Sequence, residues 1–250
     1  VGIPFLLDEQ AFRLGFQRWI EIDYSVSPHA LWCGRTGSGK SVAAKLLLAR
    51  SVLLAPPEMQ PVELTIVDPK ADSDFDYLDR LPRFYRGDAA PQGLKDFFSD
   101  FRKRQSKEDE TRNLKILFVD EFASMLNLIN DKKEKENAIK TLSLLLMLSR
   151  SFRFSVQLAT QQPSAEAMGN SGNREQLGIV ALLGDSGTQT QQMLFDGDSR
   201  DKMKEFGSVG GRATGWLALN GGIAVPVRVP RVNDMQKLND VILKNLKGDS

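Results

Sequence analysis

Apolar residues along this chain collect into short continuous runs, separated by stretches in which they recur every three or four positions. Short runs predict buried strands, and the periodic stretches predict helices that cover them. The first clear run is His29-Ala30-Leu31-Trp32-Cys33, followed over residues 42–55 by Ala, Leu, Lys and Arg, all strong helix formers. A β-branched run over residues 62–68 stops at Asp68-Pro69-Lys70. A polar connection carrying Asp72, Asp74, Asp76 and Asp79 leads to a helical pattern from Leu94 through Phe97, Phe98 and Phe101, whose charged end over 102–110 reads as solvated. Ile116-Leu117-Phe118-Val119 is the next run, and Asp120-Glu121 ends it. Residues 122–129 begin a helix, and Ile139, Leu142, Leu145 and Leu146 form the apolar face of another that runs to Arg150. A strand over 154–159 is terminated by Thr160-Gln161-Gln162-Pro163-Ser164.

The last part changes character. A strand over 179–183 and a helix near 190–195 precede two apolar segments, 213–219 and 223–229, around Asn220-Gly221-Gly222, the signature of a hairpin. Residues 234–246 close as an amphipathic helix. Strands alternating with helices predict an α/β fold, a mostly parallel sheet with helices on both faces and a C-terminal antiparallel hairpin. There is no internal repeat and no low-complexity segment.

Between the first strand and its helix lies Gly34-Arg35-Thr36-Gly37-Ser38-Gly39-Lys40-Ser41, which fits the phosphate-loop pattern G-x-x-x-x-G-K-[ST] in the strand-loop-helix context that the pattern needs. Backbone N–H groups of such a loop wrap phosphates while the helix N-terminus points partial positive charge at them. Gly34, Gly37 and Gly39 permit the wrap, and residues 34–42, from Gly34 to Val42, are the expected nucleotide-binding segment. Lys40 supplies a point charge to the β and γ phosphates, and the Ser41 hydroxyl is one ligand of Mg²⁺. Asp120 and Glu121 stand where a buried parallel strand reaches its functional edge. Asp120 is expected to hold a Mg²⁺-bound water, and Glu121 to polarise the water that attacks the γ phosphate.

Composition narrows this only slightly. With 41% hydrophobic and 26% charged residues among 250, the chain supports a sizeable core. Its 33 basic and 32 acidic residues leave a net charge of +1, so any nucleic-acid surface must be a local patch. The single cysteine, Cys33, excludes a disulfide framework and reads as a small core residue. No apolar stretch reaches the length of a membrane span. The opening at Val1 predicts a piece of a longer protein, with residues 1–18 a stub or linker and 19–250 the catalytic domain.

The order of motifs resembles the FtsK/SpoIIIE motor domain of the FtsK-HerA group. Gly34 to Val42 resembles its phosphate loop, Val67-Asp68-Pro69-Lys70 its Asp-Pro-Lys strand end, and Val119-Asp120-Glu121 with Met125 its second acidic motif. Leu158-Ala159-Thr160-Gln161-Gln162-Pro163-Ser164 is similar to its sensor strand, and the final hairpin through Pro226-Val227-Arg228 to Asp234 is also similar. The resemblance implies a RecA-like P-loop NTPase that hydrolyses ATP with Mg²⁺, assembles as a ring, usually hexameric, and pumps DNA. It also implies Gln161 as a γ-phosphate sensor and an arginine supplied by the neighbouring subunit. Where the family has Asp-Ser-Arg, this chain has Asp185-Ser186-Gly187-Thr188-Gln189, so Arg150 and Arg174 are the substitutes. That departure favours a conjugative coupling ATPase, the cytoplasmic part of a membrane-anchored protein working with a relaxase or a secretion channel. The alternative is an FtsK-like docking ATPase of a protein secretion system, which would bind export-signal peptides.

Overall fold

A helix placed after each buried strand carries the chain back to its starting edge, and so the strands that follow one another can pair in parallel. The computed structural model describes residues 2–163, 171–209 and 211–248, and among these one sheet of ten strands forms. In chain order the strands are β1 (Ile3–Asp8), β2 (Trp19–Ile22), β3 (Ala30–Gly34), β4 (Glu63–Asp68), β5 (Phe84–Arg86), β6 (Lys115–Asp120), β7 (Phe154–Thr160), β8 (Ile179–Leu183), β9 (Thr214–Leu219) and β10 (Val225–Arg228). The helices are α1 (Glu9–Arg13), α2 (Lys40–Leu54), α3 (Ala90–Gln105), α4 (Phe122–Asn127), α5 (Lys132–Leu148), α6 (Ser171–Glu175), α7 (Thr188–Leu194), α8 (Gly197–Phe206) and α9 (Met235–Lys247).

Across the sheet the order is β2-β1-β10-β9-β8-β3-β7-β6-β4-β5. From β8 to β5 all pairings are parallel, and from β8 through β9, β10 and β1 to β2 all are antiparallel. Successive side chains of a strand point to opposite faces, and here both faces are apolar. Trp32, Ile66 and Phe118 enter one core with α2 and α9, whereas their neighbours Cys33, Val67 and Val119 enter the other with α3 and α5. This is the RecA-like α/β arrangement expected from the sequence, including the hairpin. Asn220 and Gly221 both take positive φ, at 50° and 69°, as a tight turn between right-twisted strands demands.

Two expectations are corrected. Residues 3–8 were expected within a stub or linker, but β1 is an interior strand between β2 and β10, with Phe5 and Leu6 fully buried. The register shift between Pro4 and Leu6 accommodates a proline that cannot donate to the ladder. The charged end of α3 is also not wholly solvated. Arg104 is buried: it donates to the carbonyls of Asn113 and Phe152 at 2.8 and 2.9 Å, and pairs with Asp109 at 3.1 Å. The chain turns back at Lys107, with φ 65°, and so brings Asp109 and Thr111 to the guanidinium. No helix of the described residues is long and apolar enough to cross a membrane.

The C-terminal helix α9 is fastened to the sheet through a buried amide. Asn245 accepts from the Leu64 N–H at 3.0 Å and donates to the Val62 carbonyl at 2.6 Å. Asn245→Ala leaves both backbone groups unpaired, a loss of about 1–3 kcal/mol. The expected outcome is a lower denaturation midpoint at unchanged slope; an unchanged midpoint would show that water replaces the amide.

Candidate nucleotide site

In a parallel sheet the carboxyl ends of the strands share one edge, and loops leaving that edge can converge on one ligand. Here Cys33 of β3 lies opposite Thr160 of β7, Ala159 of β7 opposite Asp120 of β6, and Val119 of β6 opposite Val67 of β4. This register lines up the phosphate loop, Gln161, Asp120 and Asp68 in order along one rim.

The phosphate loop is shaped by what its glycines lack. A Cβ on Gly34 would lie 2.5 Å from the Leu183 carbonyl and 2.6 Å from Ser38 Oγ. Gly39 has φ 98°, and a Cβ there would meet Cα of Ala213 at 3.1 Å. The Ala213 N–H donates to the Ser38 carbonyl at 3.0 Å, so the turn before β9 is packed onto the loop. Lys40 opens α2, and its N-cap, Gly39, makes no side-chain cap. The amino end of α2 is thus left to an anion rather than to a side chain.

A cavity of ≈ 1550 Å³ lies over the loop, with Lys40, Ser41, Lys70, Asp120 and Gln161 on its wall. Arg35, Thr36, Gly37, Gly39 and Val42 also line it, whereas Gly34 and Ser38 pack behind the loop beside β8. Burial, with the neighbouring Asp68 adding to it, pushes the Asp120 carboxyl up to about 6 against the pull of Lys40. Asp68 is fully buried behind it, raised by burial, with Arg86 at 3.7 Å.

Glu121 is arranged differently from Asp120. The Thr160 hydroxyl donates to Oε1 at 2.8 Å, while the Gln161 N–H, at 2.9 Å, and the Lys70 ammonium, at 3.4 Å, reach Oε2. Its backbone sits at φ 73°, a left-handed conformation that costs a non-glycine residue about 1–3 kcal/mol. Asp120 therefore faces the cavity, while Glu121 grips the strand that carries Gln161. Sequence reasoning expected both carboxylates at the phosphates and did not see this division. Lys70 was noted only as part of a strand-end motif.

Arg150 and Arg174 precede β7 and β8, at the amino-terminal edge of the sheet, and neither lines the cavity of its own chain. Arg150 donates to the Ser25 carbonyl at 2.8 Å. Ser164, the last residue of the sensor motif, lies outside the described residues. Arg212 and Arg231 line the cavity and were missed, and Arg228, which also lines it, was noted only as part of the hairpin motif; the chain brings all three there from beyond residue 200 by packing the hairpin beside the loop. Cys33 is buried as expected, its thiol pushed up to about 12 by burial. The one histidine, His29, is buried at the opposite end of β3, where Nδ1 accepts the Val156 N–H at 3.0 Å.

The donors facing the cavity suit a small hard cation shared with phosphates. Ser41 brings a hydroxyl and Asp120 a carboxylate, and no group of three or more His, Cys, Asp or Glu among the described residues could hold a metal unaided. Mg²⁺ is commonly held this way, by one or two protein oxygens together with phosphate and water.

Known proteins are similar to this chain in sequence or in fold. The DNA translocase FtsK of Borreliella burgdorferi is 29% identical over 192 residues, which cover 66% of this chain and 23% of the translocase, so the chain spans about a quarter of that relative. The conjugation coupling protein TcpA of pCW3, in a monomer form with ATPγS, superposes with a TM-score of 0.70 at 20% identity, covering 95% of this chain and 69% of that one. The cytoplasmic domain of the Thermomonospora curvata Type VII secretion ATPase EccC gives 0.69 at 18% identity, covering 99% of this chain and 31% of that one. Residues 11–165, from α1 through the phosphate loop and both acidic strand ends to the sensor strand, match the FtsK/SpoIIIE family, and the chain belongs to that family.

Proposed function

We propose that this chain is an ATP-hydrolysing motor domain that drives DNA, in the manner of a coupling ATPase of conjugative transfer. The observation that carries the reading is the convergence of Lys40, Ser41, Asp120 and Gln161 on one cavity. Lys40 and the loop N–H groups hold the β and γ phosphates, and Ser41 and Asp120 would hold Mg²⁺, which when bound neutralises charge on the transferring phosphoryl group. Gln161 touches the γ phosphate. Its own N–H bonds to Glu121, so displacement of Gln161 by the phosphate and release of Glu121 toward the attacking water are one motion. Glu121 then accepts the water's proton. The family's neighbour-supplied arginine remains with Arg150 or Arg174, which would reach a second copy rather than their own cavity. The full-length protein is a membrane-anchored ring in this reading, and a DNA substrate with relaxase or channel partners follows from the coupling role.

Lys40→Ala is expected to abolish nucleotide binding in a titration with a fluorescent ATP analogue. Glu121→Gln is expected to bind as the parent does but release phosphate at least a hundredfold more slowly. Undiminished turnover in Glu121→Gln would remove it from the reaction.

The raised Asp120 carboxyl sets a pH limit. Metal must compete with a proton there, so affinity for MgATP falls as the pH drops below about 6, by up to tenfold per unit, and is flat above about 7. Calorimetric titrations across this range check it, with Asp120→Asn expected to bind weakly at every pH.

Duplex DNA is expected to raise the ATPase rate, with an onset that steepens with protein concentration and a gain that fades as salt rises. Stimulation by an export-signal peptide and none by DNA would favour the docking ATPase of a secretion system instead.

A further inference from the structure

The cavity is larger than the roughly 300–1,000 Å³ of an ordinary small-ligand pocket, and the phosphate loop occupies only one end of it. Away from that end its walls change chemistry. Val42, Leu46 and Arg50 recur four residues apart on α2 and form a single stripe along the cavity, a run of about 12 Å leading away from Lys40 and Ser41. Trp19 of β2 meets the far end of this stripe at Arg50, and Val232, after β10, also lines the cavity. Beyond the glycines of the loop, apolar and aromatic side chains thus join Arg50 to form a chamber.

The two residues at the far end are built as a unit. The Arg50 guanidinium lies 4.2 Å from the centre of the Trp19 ring, and its Nη1 donates to the Pro4 carbonyl at 2.8 Å. Trp19 belongs to neither core and keeps 37% of its surface exposed, whereas Trp32 and Trp216 are buried at 0% and 4%. A large indole fixed by a stacked cation, exposed toward a cavity, is a surface that suits a flat heteroaromatic ring.

We propose that this chamber, with Trp19 and Arg50 as its principal contacts, is the seat of the nucleotide base, so that β2 determines base recognition. The inference rests on the phosphate assignment above. For a ligand with its terminal phosphates at Lys40, Val42 is the next residue of α2 on the cavity wall and so the first apolar contact offered to the rest of the molecule. The continuation along α2 is then toward Leu46, Arg50 and Trp19.

The test compares ATP with inorganic tripolyphosphate, which has the phosphates and no base, by calorimetry and tryptophan emission. In the parent chain, ATP is expected to change the emission and tripolyphosphate to leave it unchanged, and Trp19→Phe is expected to remove the ATP response. Trp19→Ala is expected to weaken ATP about tenfold and to bind tripolyphosphate as the parent does. Equal ATP affinity in Trp19→Ala and parent, or parallel loss of both ligands, would overturn the proposal. Retention of tripolyphosphate binding in Lys40→Ala would instead overturn the phosphate assignment, and this subsite with it.

Discussion

The register of four parallel strands is the constraint on which the site depends. Because β3, β7, β6 and β4 run in the same direction, and because Cys33 stands opposite Thr160 and Ala159 opposite Asp120, residues distant in sequence end at one rim. A slip of one residue in β6 would turn Asp120 to the opposite face of the sheet and exchange Phe118 and Val119 between the two cores. Two apolar faces prevent that slip: Ile116 and Phe118 are committed to one core, and Leu117 and Val119 to the other. The placement of a carboxylate beside the phosphate loop is thus maintained by the apolar packing of the four residues before it.

At that rim, burial and charge are set against each other. Asp120 is held in its ionisable range by Lys40 and Lys70 while burial and Asp68 oppose them. Glu121 has three donors on its two oxygens and a strained backbone, and such strain persists where surrounding contacts over-determine it. The adjacent acids therefore differ in kind. One is a raised carboxyl open to the cavity, and the other is a fully bonded carboxylate that joins β6 to the tip of β7.

Much of this was legible in the sequence, for local reasons. The phosphate loop, the strand ending in Asp120-Glu121 and the Asn220-Gly221 turn are each specified by neighbouring residues whose backbone requirements are explicit. What escaped depends on distant contacts. β1 contains Pro4 and is buried along nearly its whole length, so it shows no alternation to mark it as a strand. Arg104 sits in a run of charges and looks solvated until the turn at Lys107 brings Asp109 back to it. Arg212 and Trp19 join the cavity only through the antiparallel side of the sheet, which no motif announces. The different settings of Asp120 and Glu121 depend on contacts from Thr160, Gln161 and Lys70, and two consecutive acids in a sequence do not encode them.

The contact between the phosphate loop and the turn before β9 has a mechanical consequence. The Ser38 carbonyl is bonded to the Ala213 N–H, Gly39 lies against Ala213 with too little room for a Cβ, and the Ala213 carbonyl in turn accepts from the Val229 N–H after β10. The loop is therefore tethered through Ala213 to the start of β9 and the end of β10, which makes the antiparallel wing a brace for the loop's position.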